Sequence, residues 1–78
     1  MKHWEERLIG EYMQLHSRLM RLKVWNEHYA DGSTGVSETE HKLLVKQEGV
    51  MQMYLDCLKK RIQLHGLEQE LLDKVQNT

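Results

Sequence analysis

Ala30-Asp31-Gly32-Ser33-Thr34-Gly35-Val36, running into Ser37-Glu38-Thr39-Glu40, is the stretch at which the chain turns. Two glycines, an aspartate and two hydroxyl residues fall together there, the one loop-like shift in composition along the sequence. Ser37 then predicts a helix start with a mechanism. Its hydroxyl can accept from the Glu40 amide while the Glu40 side chain reaches back to the Ser37 amide, a capping box. Glu38 and Glu40 also place negative charge at the positive end of the helix dipole.

Outward from this connection, both arms carry helical periodicity. Upstream, Leu8, Tyr12, Leu15, Leu19, Leu22 and Tyr29 recur on one face, with Asn26 in the slot between Leu22 and Tyr29. Downstream, Leu44, Met51, Leu55, Leu58 and Ile62 keep the same rhythm, interrupted by Glu48. A second stripe runs beside it through Leu43, Gln47, Val50, Tyr54, Cys57, Arg61 and Leu64. The second helix therefore has a wide, partly polar face. Helices over about 2–29 and 38–65, joined by a loop at 30–37, fold back on each other as an antiparallel hairpin. A fold-back near Ser33 makes opposing residue numbers total about 66. Leu8 then meets Leu58, Tyr12 meets Tyr54, Leu15 meets Met51 and Leu22 meets Leu44. In the same register Glu5 and Glu6 face Lys59, Lys60 and Arg61, and Arg18 faces Glu48.

Size makes association the next expectation. A chain of 78 residues buries only ~60–65% of the surface its unfolded form exposes, and its single cysteine, Cys57, rules out an intrachain disulfide. Two helices cannot hide a face as wide as that of the second helix, so the leftover stripe should pack on another copy. The expected fold is all-α: a two-helix hairpin over 1–66 and a short C-terminal helix or tail over 67–78, assembled into a homo-oligomeric helical bundle. Leu67, Leu71, Leu72 and Val75 carry the apolar positions of that tail. Gly66 either ends the second helix in a left-handed turn or is an interior glycine, and periodicity leaves both open.

Several function classes fall away. A net charge of −1 argues against DNA or RNA binding by phosphate neutralisation. No apolar run approaches the ~18 residues that span a bilayer, and the faces mix both charge signs, against membrane-surface binding. His3-Trp4-Glu5-Glu6 near the start lacks the apolar core of a signal peptide, and the free cysteine fits a reducing compartment; the expected location is the cytoplasm. His3, His16, His28, His41 and His65 include no i,i+4 pair, and Glu38 with His41 belongs to the capping turn, so neither a metal nor another cofactor is expected. Cys57 lies mid-helix on a mainly apolar stripe, and no phosphate-cradling glycine loop or catalytic constellation is present; the expectation is a non-enzyme.

One group of residues admits two readings, and spacing alone favours the structural one. Gln47, Tyr54 and Arg61 share a face at heptad spacing. An Arg, an aromatic ring and an amide on one half-buried face suit an anionic small molecule carrying a base, with Arg on phosphate and Tyr stacked on the ring. The competing reading is a hydrogen-bonded polar layer that fixes register in an oligomer.

Beyond these patterns, Glu6-Arg7-Leu8-Ile9-Gly10-Glu11, with Leu15, Leu19 and Leu22, resembles the first helix of a group of short phage-encoded helical-hairpin proteins. Leu43-Leu44, Gln47, Met51, Tyr54, Leu58, Arg61 and Ile62 resemble its second helix. The resemblance covers roughly residues 5–64, leaving the tail outside it. Related hairpins occur in phage anti-defence sponges, oligomers that trap cyclic nucleotide signals made by bacterial immune systems such as CBASS and Thoeris. The resemblance implies ligand-binding residues Arg7, Glu11, Gln47, Tyr54 and Arg61, a nucleotide second messenger as ligand, and an infected bacterial host as setting. The alternative expectation is a hairpin that binds a host or phage protein, or a structural coiled coil, with Met51 and Met53 on an adaptable surface.

Overall fold

Three helices follow one another in the computed structural model: α1 (His3–His28), α2 (Glu38–Leu64) and α3 (Glu68–Gln76). It describes residues 2–29 and 35–76; most of the expected connection, residues 30–34, and the end of the tail, residues 77–78, lie outside the described residues. The order is that of the expected hairpin with its short C-terminal helix.

Local chemistry sets the helix ends. The Lys2 amide donates to Glu5 Oε1 at 3.0 Å, holding the first turn of α1. Ser37 is the N-cap of α2, its Oγ accepting from the Glu40 amide at 3.2 Å. Gly66 resolves the open question about the end of α2. It has φ +66°, a left-handed conformation that a side chain disfavours. The Gly66 amide donates to the Gln63 carbonyl at 3.1 Å and the Leu67 amide to the Ile62 carbonyl at 2.9 Å. Those two bonds make a Schellman motif, which satisfies two carbonyls of the last turn and reverses the chain toward α3.

The motif also brings Leu67 against Ile62. Leu8, Ile9, Leu58, Ile62 and Leu67 form the buried cluster, with Tyr12, Met13, Leu15 and Leu71 packed on it. Leu19 and Leu55 are buried farther toward the turn. Leu8 and Leu58 were expected to meet; Ile9 was not on the expected stripe. It is fully buried because α3 covers a second face of α1, where Tyr12, Met13 and His16 line a pocket with Leu71, Leu72 and Val75.

The hairpin register differs from the expected one by up to about two turns. Trp4 reaches His65, Tyr29 stacks on His41, Asn26 bonds Leu44 and Glu48, and Lys23 bonds Gln52. These pairs total about 69–75 rather than about 66, and only Glu11 with Tyr54 falls below that range. The cause is side-chain direction. Every Cα–Cβ bond leans toward its own helix N-terminus, away from the turn in α1 and toward it in α2, so partners meet at higher combined numbers. The expected ion pairs are corrected with it. Among the described residues the ion pair is Lys42 with Glu38, 3.5 Å within α2, and Arg18 does not pair with Glu48. Glu5 instead turns back to Lys2, and Tyr12 lies over His16 rather than against Tyr54.

Glu48 finds the other polar interruption. Asn26 Nδ2 donates to Glu48 Oε1 at 3.0 Å and to the Leu44 carbonyl at 3.3 Å, in a part-buried position. The two residues that broke the apolar stripes therefore break them opposite each other. Such a pair specifies one register, because any slip leaves both groups dry and unpaired.

The molecule measures 45 × 23 × 16 Å with a radius of gyration of 15.3 Å, against ~11.5 Å for a compact chain of this length. An elongated hairpin leaves apolar side chains uncovered. Leu64 is 79% exposed, Met53 71%, Leu43 59% and Val50 57%. Among the described residues no helix is long and apolar enough to cross a membrane.

Candidate functional site

At the end of the hairpin away from the turn, α1 and α2 leave a shallow open pocket. Trp4, Arg7, Leu8 and Glu11 line it from α1 and Arg61 from α2, around ≈ 220 Å³. Spacing explains the α1 wall: positions 4, 7, 8 and 11 lie within about one helical face. Leu8 is fixed by the buried cluster and forms the floor, so the polar groups stand on a rigid base. Trp4 packs edge-on to His65 with ring centroids 4.7 Å apart, which closes the outer end.

Tyr54 stands two turns from Arg61 along α2, ~10 Å away, and reaches the lining through Glu11. Its hydroxyl donates to Glu11 Oε1, joining the two helices beside the pocket. That bond occupies one carboxylate oxygen and holds the ring at the pocket edge, 47% exposed. Arg7 and Arg61 are both exposed, and neither belongs to an ion pair among the described residues. Two guanidiniums against one carboxylate leave the pocket net positive. Ten N–H donors in two planar forks suit an anion with several oxygens, such as a phosphate.

Four of the five expected residues are thus neighbours: Arg7, Glu11 and Arg61 line the pocket and Tyr54 borders it. Gln47 is not with them. It lies two turns from Tyr54 along α2, ~10 Å away, and its amide donates to Met51 Sδ at 3.8 Å. Trp4 is the residue that the sequence reading missed. Its signal was available in the i, i+3, i+7 spacing of Trp4, Arg7 and Glu11. His41 stacks on Tyr29 at the turn end, 3.7 Å between centroids, remote from this pocket. Among the described residues no three His, Cys, Asp or Glu side chains gather as a metal site.

A family model described as Sequestin matches residues 2–64. The match covers most of the chain, α1 and α2 with their connection, and stops before Gly66 and α3. No curated protein and no solved structure matches the chain. The chain belongs to the Sequestin family.

Proposed function

We propose that this Sequestin-family chain is a phage anti-defence sponge: it binds a nucleotide second messenger, cyclic or linear, and withholds it from its receptor, without catalysis. The observation that carries the reading is the convergence of Arg7 and Arg61, from two helices, on one pocket edged by aromatic rings. Arg61 and Arg7 pair with phosphate oxygens. Trp4 and Tyr54 offer ring faces for a base, and Glu11 accepts from Tyr54 and from a base or sugar donor. The family description, which points to sequestration, agrees with a binder that returns its ligand unchanged.

Size bears on how the pocket works. Small-molecule sites usually enclose ~300–1,000 Å³, so a pocket of ≈ 220 Å³ holds part of a dinucleotide and leaves the remainder to be covered from outside the hairpin. Sequestration therefore belongs to an oligomer of the chain, with pockets between protomers. The exposed α2 face also suits the other reading, a surface for a host or phage protein, because Leu64 and Met53 are largely uncovered.

A thermal-shift screen against linear and cyclic di- and trinucleotides and ADP-ribose derivatives separates the two. A ligand at 100 times its dissociation constant adds ~2.7 kcal/mol, several degrees for a domain this size. The shift disappears in Arg61→Ala while the oligomer stays assembled. A flat panel, or an unchanged shift in Arg61→Ala, contradicts the assignment.

A further inference from the structure

The exposed stripe of α2 has the same order of apolar and polar positions in both directions. Tyr54 is its centre; outward from it, Val50 balances Cys57, Gln47 balances Arg61, and Leu43 balances Leu64. All seven positions are exposed. A twofold axis through Tyr54 would set a second α2 antiparallel on the first, with apolar groups on apolar groups and Arg61 against an amide. A parallel pairing sets Arg61 on Arg61 inside the seam, where like charges are unfavourable.

The seam-side edge of α1 repeats the pattern about the same axis. Trp4, Glu11, Arg18 and Trp25 recur every seven residues, and reversal about their midpoint exchanges Trp4 with Trp25 and Glu11 with Arg18. Both tryptophans are partly exposed, 38% and 45%. That midpoint, between residues 14 and 15, lies within about one turn of the level of Tyr54, whose hydroxyl bonds Glu11. The two stripes therefore share one axis to within about a turn, as an isologous interface requires.

We infer that this face joins two copies of the chain around a twofold axis at Tyr54, and that the partner's Gln47 and the partner's Trp25 complete the pocket at Arg61. The interface explains why Gln47 stands apart from its own pocket. It also adds the partner's Arg18 opposite Glu11, raising the positive charge available to an anion. The ligand class rests on the sponge reading; the pairing does not.

The interface is tested by cross-linking in oxidised glutathione without nucleotide. Side chains at 50 and 57 oppose each other across an antiparallel seam, whereas two copies of position 57 sit ~10 Å apart along it, beyond disulfide reach. Val50→Cys, with native Cys57, gives a disulfide-linked dimer; wild type and Val50→Cys/Cys57→Ser stay single chains. A covalent dimer in either control means a parallel pairing and overturns the inference, as does a Val50→Cys chain that remains monomeric. Completion in trans is tested by mixing. Arg61→Ala removes the guanidinium, and Gln47→Glu sets a carboxylate beside the partner's Arg61. Refolded together one to one with whichever nucleotide of the panel wild type binds, they recover about one quarter of the wild-type sites, because half the dimers are mixed and each holds one intact pocket. No recovery beyond either variant alone means that both residues act within one chain and overturns the shared pocket. Failure of wild type to bind any nucleotide contradicts the sponge reading alone, since the cross-link still decides the pairing.

Discussion

Leu67→Ala tests whether the segment beyond the family-matched region belongs to the fold. Leu67 is 4% exposed, and its side chain joins Ile62, Leu58, Leu8 and Ile9 in the buried cluster. The substitution keeps the amide bond from Leu67 to the Ile62 carbonyl, so what is lost is packing. Buried Leu→Ala changes cost ~2–5 kcal/mol; a position just past a helix end can partly collapse, which places this one near ~2–3 kcal/mol. A 78-residue domain has ~4–12 kcal/mol in total, so the loss is a large share. Thermal unfolding followed by far-UV circular dichroism, at fixed chain concentration because association contributes, should show Tm falling by ~10–20 °C. Leu72→Ala is the control: Leu72 is 51% exposed, and its loss should stay near ~0.5 kcal/mol. The reasoning is refuted if Leu67→Ala melts with wild type, or if the two variants cost the same.

Two further predictions concern how the hairpin is specified. Ser37→Ala leaves the Glu40 amide uncapped and should lower stability by ~1 kcal/mol in urea titration, with an unchanged m-value; no shift of the midpoint would contradict the capping role. Asn26→Leu strands the Glu48 carboxylate in a part-buried place and should cost ~1–3 kcal/mol, whereas Asn26→Leu/Glu48→Leu should regain most of it. A double variant as unstable as the single one would mean that the pair is not the cause.

The hairpin was legible in the sequence because its signals are local. Ser37 and Glu40 mark a helix start within four residues, and leucine periodicity marks the buried faces without knowledge of the partner helix. The register was less so. Symmetry about Ser33 ignores the lean of side chains toward their helix N-termini, which carries Trp4 to His65 and Asn26 to Glu48. Asn26 and Glu48 were both visible as breaks in the stripes, yet only their separation in three dimensions shows that they are partners. Ile9 was missed because its burial comes from α3, an element outside the two-helix pattern. At the pocket, Tyr54 and Arg61 were visible as unusual residues on an apolar face. Trp4 carried only a local signal, its spacing with Arg7 and Glu11; what it meets across the hairpin, His65 and Arg61, was not visible. Gln47 stands apart because its amide turns to Met51 while Tyr54 is tied to the pocket by Glu11, a difference in partners that a shared face does not reveal.

The central claim is sequestration without chemistry, and recovery of the ligand tests it directly. The purified wild-type chain and Arg61→Ala are equilibrated with linear and cyclic di- and trinucleotides and ADP-ribose derivatives, freed of unbound ligand, heated to unfold the protein, and the released material is separated by chromatography. The account predicts that wild type retains one class of nucleotide and returns it intact, while Arg61→Ala retains none. No retention across the panel, or release of a cleaved nucleotide, would contradict it.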